Sequence, residues 1–123
     1  TDNHPTRGDV VVVDGDGIKL HEVIVKRVIA TEGQTVDIDF QTGTVSVDGV
    51  ALDESAYIKN GITKNQYDLK FPQTVPAGHV FVLGDNRTIS DDSRSSDVGM
   101  IDRRYIIGKV EIIITPTSKF GKI

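Results

Sequence analysis

The feature that most constrains the fold is a series of short runs of β-branched residues, separated by turns that contain glycine. Branching at Cβ favours extended backbone, while glycine permits the tight turns that join strands. No segment has the apolar period of a helix longer than a turn or two. The predicted strands are Val10 to Val13, His21 to Ala30, Thr35 to Phe40, Thr44 to Gly49, His79 to Leu83 and Tyr105 to Thr115.

This pattern predicts an all-β fold, a folded sheet or barrel that carries a small inserted lobe. A chain of 123 residues has the size of one domain and can bury a core without disulfides. The segment from about residue 51 to residue 76 is polar and aperiodic, so only short strands are expected there. We therefore expect a single domain whose core comprises about residues 7–36 and 79–123, with an inserted β lobe at about residues 37–78.

Composition argues against several classes of function. The net charge is −4 and no basic run or stripe is present, which argues against nucleic acid as a partner. The absence of cysteine excludes a disulfide framework, a thiolate nucleophile and a cysteine zinc site. The three histidines are scattered without the spacing of a metal site, and no stretch has the length of a membrane helix. We expect neither a metal nor a cofactor.

Lys26 stands in the middle of the longest predicted strand, which reads HEVIVKRVIA. Because alternate side chains of a strand share a face, Ile24, Val28 and Ala30 should lie on the face of Lys26. Apolar neighbours desolvate an amine, which lowers its pKa and makes lysine usable as a general base near neutral pH. The alternative interpretation is a solvent-facing charge that protects an edge strand from aggregation.

The loop GDNRTISDDSR, residues 84–94, directly follows the predicted strand HVFVL. Aspartate, asparagine and serine form turns with their own backbone, and arginine pairs with carboxylates, so a solvated turn cluster is one interpretation. The other is that Ser90 contacts a catalytic group while pairs of aspartate and arginine hold the loop rigid.

These two stretches together resemble the bacterial type I signal peptidases, which are serine/lysine proteases of the S26 type. VKRVIATEGQTV resembles the lysine box of that family. GDNRTISDDSR resembles its most diagnostic segment, Gly-Asp-Asn-Arg, two residues, Ser, one residue, Asp-Ser-Arg. HPTRGDVVVV, VPAGHVFVLGDNR, VGMIDRRYIIGKV and SKFGKI resemble further family segments, so the resemblance covers nearly the whole chain in the right order.

The resemblance implies a membrane-associated endopeptidase that removes signal peptides from exported preproteins at the outer face of the cytoplasmic membrane. It implies that Lys26 is the general base and that Ser90 hydrogen-bonds the amine and orients it. Ile24 and Val25 match the strand along which the extended substrate lies, with pockets for small residues such as alanine. The residues that match the structural support of the site are Gly84, Asp85, Asn86, Arg87, Asp92 and Arg94. Their charges are expected to face one another rather than the amine.

Two features depart from the family pattern. The family nucleophile lies in a Ser-Met-x-Pro motif upstream of the RGDVVV box, and nothing in this chain matches that motif. We therefore expect the nucleophile and an N-terminal membrane anchor to lie outside this chain, and the chain alone to be inactive. The lysine box of the family usually continues with Pro-Gly-Asp, whereas here it continues with Glu32-Gly33-Gln34, which keeps only the glycine of the turn.

Two other functions stay open. The missing serine is compatible with a non-catalytic relative that binds extended peptides in secretion through the same groove. A self-cleaving SOS-type repressor domain shares the serine/lysine chemistry, although such domains lack the GDNR…S…DSR segment. A strand missing beside Lys26 would expose an unpaired edge, so a strand-exchanged dimer is also expected.

Overall fold

The structure is a computed structural model that describes residues 4–58 and 63–110, and this part of the chain is mainly β, as predicted. None of its helices is long and apolar enough to span a membrane. Two single 3₁₀ turns, Gly15–Gly17 and Arg103–Tyr105, are its helical elements. The strands are β1 (Val10–Val13), β2 (Ile24–Thr31), β3 (Thr35–Asp39), β4 (Thr44–Val47), β5 (Val50–Ala51), β6 (Gln73–Thr74), β7 (His79–Leu83), β8 (Ile101–Asp102) and β9 (Ile106–Val110).

The first sheet has the strand order β8-β7-β2-β1-β9 and is antiparallel throughout. One face of this sheet covers a cluster of buried aliphatic side chains. Such burial removes aliphatic surface from water and is the main stabilising contribution to the fold. The buried residues of this core are Val11, Val13, Ile18, Ile24, Val28, Val80, Val82, Val98, Ile101 and Ile106.

The second sheet has the order β5-β4-β3-β6, and its core is shared with the other face of the first sheet. Asp48 and Gly49 both have positive φ, 51° and 81°, as the tight turn between β4 and β5 requires. Because β2 and β7 contribute to both cores, each of them has buried side chains on both faces. The buried residues of the shared core are Ile29, Ala30, Val36, Ile38, Val45, Val47, Val75, Phe81 and Leu83.

Strand β2 differs from its prediction at both ends. It begins at Ile24 rather than His21, because His21 has a φ of 54° and its N–H closes a turn onto the carbonyl of Ile18 at 3.2 Å. The pairing of β2 with β7 passes from Val28 to Ala30, so Ile29 is the extra residue of a bulge. The bulge turns Ala30 into the shared core, and the prediction that Ala30 lies on the face of Lys26 is wrong.

Two other predicted elements also change. Strand β9 occupies Ile106–Val110, and the remainder of the predicted strand, residues 111–115, lies outside the described residues. The two-residue strand β8 was not expected, since two residues are too short to show an alternating pattern.

The register of the first sheet places Lys26 at a gap. Lys26 is paired with Val11 of β1 on one side. On the other side, pairing of β2 with β7 begins only at Arg27 and Leu83, because the chain leaves the sheet after Leu83 as the loop of residues 84–94. That loop returns toward β2, so its side chains occupy the space next to Lys26.

Candidate active site

Lys26 and Ser90 meet where β7 ends beside β2. The Lys26 Nζ donates a hydrogen bond to the Ser90 Oγ at 2.9 Å across 64 residues of sequence. Ser90 is buried, and Lys26 is half-buried on the face of the first apolar core, between Ile24 and Val28. The structure thus brings together the two residues that the resemblance assigned to the base and its orienting hydroxyl.

Burial is the dominant influence on the Lys26 amine, and it lowers the pKa of Lys26 below the ordinary value of 10.5. Asp92, Asp91 and Asp85 act in the opposite direction and raise the pKa, whereas the charge of Arg94 lowers it. The site therefore contains carboxylates that act on the amine, contrary to the simplest expectation, but desolvation outweighs them. The group can be deprotonated at a lower pH than an exposed lysine.

Gly84 makes the contact between Lys26 and Ser90 possible. A β-carbon at position 84 would collide with the side chain of Ser90 and would lie 3.3 Å from the Lys26 Nζ. Glycine is therefore required at position 84 because the Ser90 side chain approaches it closely, and not because of its backbone conformation. Any larger residue must push Ser90 away from the amine.

Three ion pairs surround the site, and only one of them lies within the loop. Arg94 binds both oxygens of Asp92, at 2.8 and 2.9 Å, and both side chains are fully buried. The solvated-cluster interpretation of the loop is therefore wrong. The other two pairs, Arg27 with Asp85 and Arg87 with Glu54, connect the loop to β2 and to the inserted segment. In each of these pairs the opposite charges face one another, although Asp92 and Asp85 also act on the Lys26 amine.

The backbone of the loop is held on several sides. The Ser90 carbonyl accepts hydrogen bonds from the Tyr67 hydroxyl at 2.9 Å and from the Arg94 Nη2 at 3.3 Å. The Asn86 carbonyl accepts the Ser90 N–H at 3.0 Å, which closes the turn. Ser93 exchanges hydrogen bonds with Val82 of β7 through its hydroxyl and its N–H. Ser90 is therefore fixed in backbone as well as in side chain.

Ile24 and Val25, the predicted substrate-binding residues, lie on β2 beside the site. Ile24 points into the first core, whereas Val25 is half-buried. Both pair with β1 on one side, and β7 does not reach them on the other. Two exposed apolar side chains, Val23 at 63% and Ile89 at 75% exposure, flank the same region. The available surface here is the strand edge rather than the side chain of Ile24.

Several residues of the site were not found by sequence reasoning. Glu54, Tyr57 and Thr63 contact Arg87 or its partner, and Tyr67 contacts Ser90. They lie in the polar, aperiodic part of the chain, and their partners are distant in sequence. One indication in the sequence that further acidic residues belong to the site was the presence of several arginines there, because a buried guanidinium requires a carboxylate partner. Within residues 4–58 and 63–110, no three acidic or histidine side chains are grouped as a metal site would need.

Comparison with known proteins identifies related sequences and a related structure. A family model described as signal peptidase, peptidase S26, matches residues 1–115. The chain is 33% identical over 121 residues to a signal peptidase I of Bacillus licheniformis, with 94% of this chain and 62% of that protein covered. It is 37% identical over 127 residues to a probable signal peptidase I-1 of Synechocystis sp., with 98% and 60% covered.

A crystal structure of a signal peptidase I from Enterococcus faecalis V583 has the same fold. It superposes with a TM-score of 0.65 at 29% identity, over 88% of this chain and 97% of that one. The chain spans about three fifths of the length of the curated relatives named above.

Proposed function

Because the chain belongs to the signal peptidase family, peptidase S26, we propose that it provides the general base of an endopeptidase that removes signal peptides from exported preproteins. The observation that carries the proposal is the 2.9 Å contact between the Lys26 Nζ and the Ser90 Oγ at a half-buried position. A desolvated lysine whose amine is oriented by a hydroxyl is suited to accept a proton from a serine nucleophile.

The proposed mechanism uses Lys26 twice in each half-reaction. The neutral amine takes the proton of a nucleophilic serine, whose oxygen attacks the scissile carbonyl, and the ammonium then protonates the leaving amine. In the second half, the amine takes a proton from water, whose oxygen attacks the acyl carbonyl, and the ammonium then returns a proton to the serine oxygen as the carboxyl product leaves. Ser90 keeps the Nζ in place throughout and does not attack. Since no Ser-Met-x-Pro motif is present in the sequence, we propose that the nucleophile is supplied from outside these 123 residues and that they do not cleave peptides alone.

The substrate is proposed to bind as an added strand along β2. The edge over Ile24 and Val25 faces away from β1 and is not used by β7, so its backbone groups can pair with an extended peptide. Backbone pairing provides affinity for varied sequences, and small pockets beside it select small side chains. The same edge could pair with a second copy of this chain, and light scattering with and without peptide would distinguish a dimer from a monomer.

The membrane association of the enzyme is part of the proposal. We place the catalytic domain at the outer face of the cytoplasmic membrane, held by an anchor that these residues do not include. The exposed Val23 and Ile89 beside the site are compatible with a surface that works near lipid.

Cleavage by the full-length gene product tests the proposal. The protein should cut a preprotein after a small-x-small motif, and Lys26→Ala should reduce kcat/KM by about 10²–10⁴-fold, the usual contribution of a general base. Lys109→Ala is the matched control, because Lys109 lies on β9 and its ion pair within residues 4–58 and 63–110 is with Asp9, at 3.5 Å. Cleavage that survives in Lys26→Ala would overturn the assignment. Peptide binding without any cleavage would instead support the non-catalytic alternative.

A further inference from the structure

A short part of the inserted segment contacts both elements that carry the candidate base and its orienting hydroxyl. Glu54 and Tyr57 lie between β5 and β6, far in sequence from Lys26 and Ser90. The ring of Tyr57 lies 4.4 Å from the Cζ of Arg27 and 5.9 Å from the Cζ of Arg87. Its hydroxyl donates a hydrogen bond to Glu54 at 3.0 Å. Tyr57 thus contacts two arginines that belong to different elements, and Glu54 binds one of them, Arg87.

The first arginine fixes the strand of the base. Arg27 follows Lys26 in β2, and its guanidinium binds both oxygens of Asp85 at 2.9 Å and the carbonyl of Gly8 at 2.9 Å. Tyr57 covers this guanidinium from the lobe side. Since Asp85 follows Gly84 in the chain, the contact sets the spacing between β2 and the start of the loop. Stacking on an aromatic face is favourable for arginine and restricts its position.

The second arginine fixes the loop of the hydroxyl. Arg87 is fully buried and binds both oxygens of Glu54, at 3.0 and 2.6 Å. Its Nε donates to the carbonyl of Gly84 at 2.5 Å, and its Nη1 donates to Thr63 at 2.9 Å. The loop turn that presents Ser90 is therefore held by a residue of the inserted segment.

The pair of Glu54 and Tyr57 is itself well defined. Burial, followed by the charge of Glu54, raises the pKa of Tyr57 to about 12, so its hydroxyl stays protonated and continues to donate at neutral pH. The Glu54 carboxylate accepts from both Tyr57 and Arg87. Four groups, two guanidinium ions, one ring and one carboxylate, thus form one connected network that reaches β2 at Arg27 and the loop at Arg87.

We propose that Glu54 and Tyr57 are positioning residues for the candidate active site: they hold β2 and the loop of residues 84–94 at the spacing that keeps the Lys26 Nζ against the Ser90 Oγ. The inference rests on the proposed function, since only a base has to be held in this way. The competing explanation is that the two residues merely stabilise the inserted lobe. The two explanations differ in what happens to Lys26 while the protein is folded.

The test is a titration of the Lys26 amine in the folded chain, followed by NMR of labelled lysine side chains. Tyr57→Leu removes the ring face but keeps an apolar side chain, and it should shift the pKa of Lys26 upward as the amine moves away from Ser90 and toward water. Phe40→Leu is the matched control in the same lobe, where Phe40 packs on Phe71 at 5.8 Å. It should lower the melting temperature without moving the Lys26 titration. In the full-length protein, Tyr57→Leu should lower kcat by up to about 10²-fold with little change in KM.

Each outcome is decisive. A low pKa for Lys26 in the unaltered chain that is unchanged in Tyr57→Leu would overturn the inference and leave the proposed function standing. An ordinary lysine titration in the unaltered chain would overturn both. If Tyr57→Leu does not fold, Arg27→Lys replaces it: this variant keeps the charge but loses the bidentate, stacked contact, and it should shift the Lys26 titration in the same direction.

Discussion

Asp85 pairs with Arg27 of the neighbouring strand and not with Arg87 of its own loop. Both guanidinium–carboxylate contacts are 2.9 Å long. Arg87 instead reaches Glu54 in the inserted segment. The loop is therefore held by ion pairs to two other parts of the chain, and one of these pairs involves the residue next to Lys26. Loss of a single partner should affect both the stability of the fold and the geometry of the site.

Glu54→Gln should strongly destabilise the protein. It leaves the fully buried Arg87 without its carboxylate, and breaking a buried ion pair in this way costs about 3–5 kcal/mol of unfolding free energy. Urea denaturation measures the loss. Asp53→Asn is the control, since Asp53 is exposed and its hydrogen bonds in the described part of the chain are with Ser55, and the variant should stay within about 0.5 kcal/mol of the unaltered protein. Equal, small effects of the two variants would contradict the burial of the Arg87 pair.

Gly84→Ala should separate Lys26 from Ser90. The added β-carbon collides with the Ser90 side chain, and overpacking of this kind costs about 1–3 kcal/mol. The Lys26 amine should then become better hydrated, and its pKa should rise toward the ordinary lysine value. Gly108→Ala on β9 is the control, because a β-carbon there meets nothing within 4 Å. The contact would be refuted if both variants left the Lys26 titration unchanged.

Lys26→Met should alter the pH dependence of stability. Burial lowers the pKa of Lys26 in the folded protein below the ordinary value of 10.5, which holds in the unfolded chain. At pH values between the folded-state pKa and 10.5, the unfolded chain therefore binds more protons than the folded protein, and the stability of the unaltered protein rises with pH across that window. Methionine has no proton to bind, so the stability advantage of Lys26→Met should be largest at neutral pH and should shrink as pH rises. Urea denaturation over a pH series measures it. A constant difference between the two proteins at all pH values would show that Lys26 is not perturbed.

Asp91→Asn should lower the pKa of Lys26 further. Asp91 precedes the Asp92–Arg94 pair, and its Oδ1 is buried without a hydrogen-bond partner in the described part of the chain. Burial is the largest influence on the pKa of Lys26 and lowers it, whereas the charge of Asp91 raises it. Removing that charge therefore favours the neutral amine. If the full-length protein has the proposed activity, the acidic limb of its kcat/KM should move to lower pH in Asp91→Asn. Asp37→Asn is the control, because Asp37 is exposed on β3, and it should leave the acidic limb of kcat/KM in place. If the acidic limb of Asp91→Asn coincides with that of Asp37→Asn, the charge of Asp91 does not influence the pKa of Lys26.

Much of the fold could be predicted because strand formation depends on local pattern. The valine run of β1, the alternation of β3 and β4 and the Asp48-Gly49 turn are all visible in the sequence. The bulge at Ile29 is not, because it depends on how β2 is matched to β7 rather than on the residues of β2 alone. The prediction that Ala30 shares a face with Lys26 was wrong for this reason.

The site could be predicted only as far as its motifs extend. Lys26 and Ser90 were identified by resemblance, and the structure places them in contact. Glu54 and Tyr57 were missed because a buried arginine can take its carboxylate from anywhere in the chain. The partner of Arg87 lies 33 residues away in a segment without periodicity, so tertiary packing alone determines it.

The titration of the Lys26 side chain in the folded chain is the most direct test of this account. Labelled lysine carbons would be followed by NMR over pH, with the Lys26 signal identified by its loss in Lys26→Arg. The account predicts that this amine titrates below 10.5, because burial beside Ser90 disfavours its charge. Titration of Lys26 at or above the ordinary lysine value, in a chain shown to be folded, would contradict it.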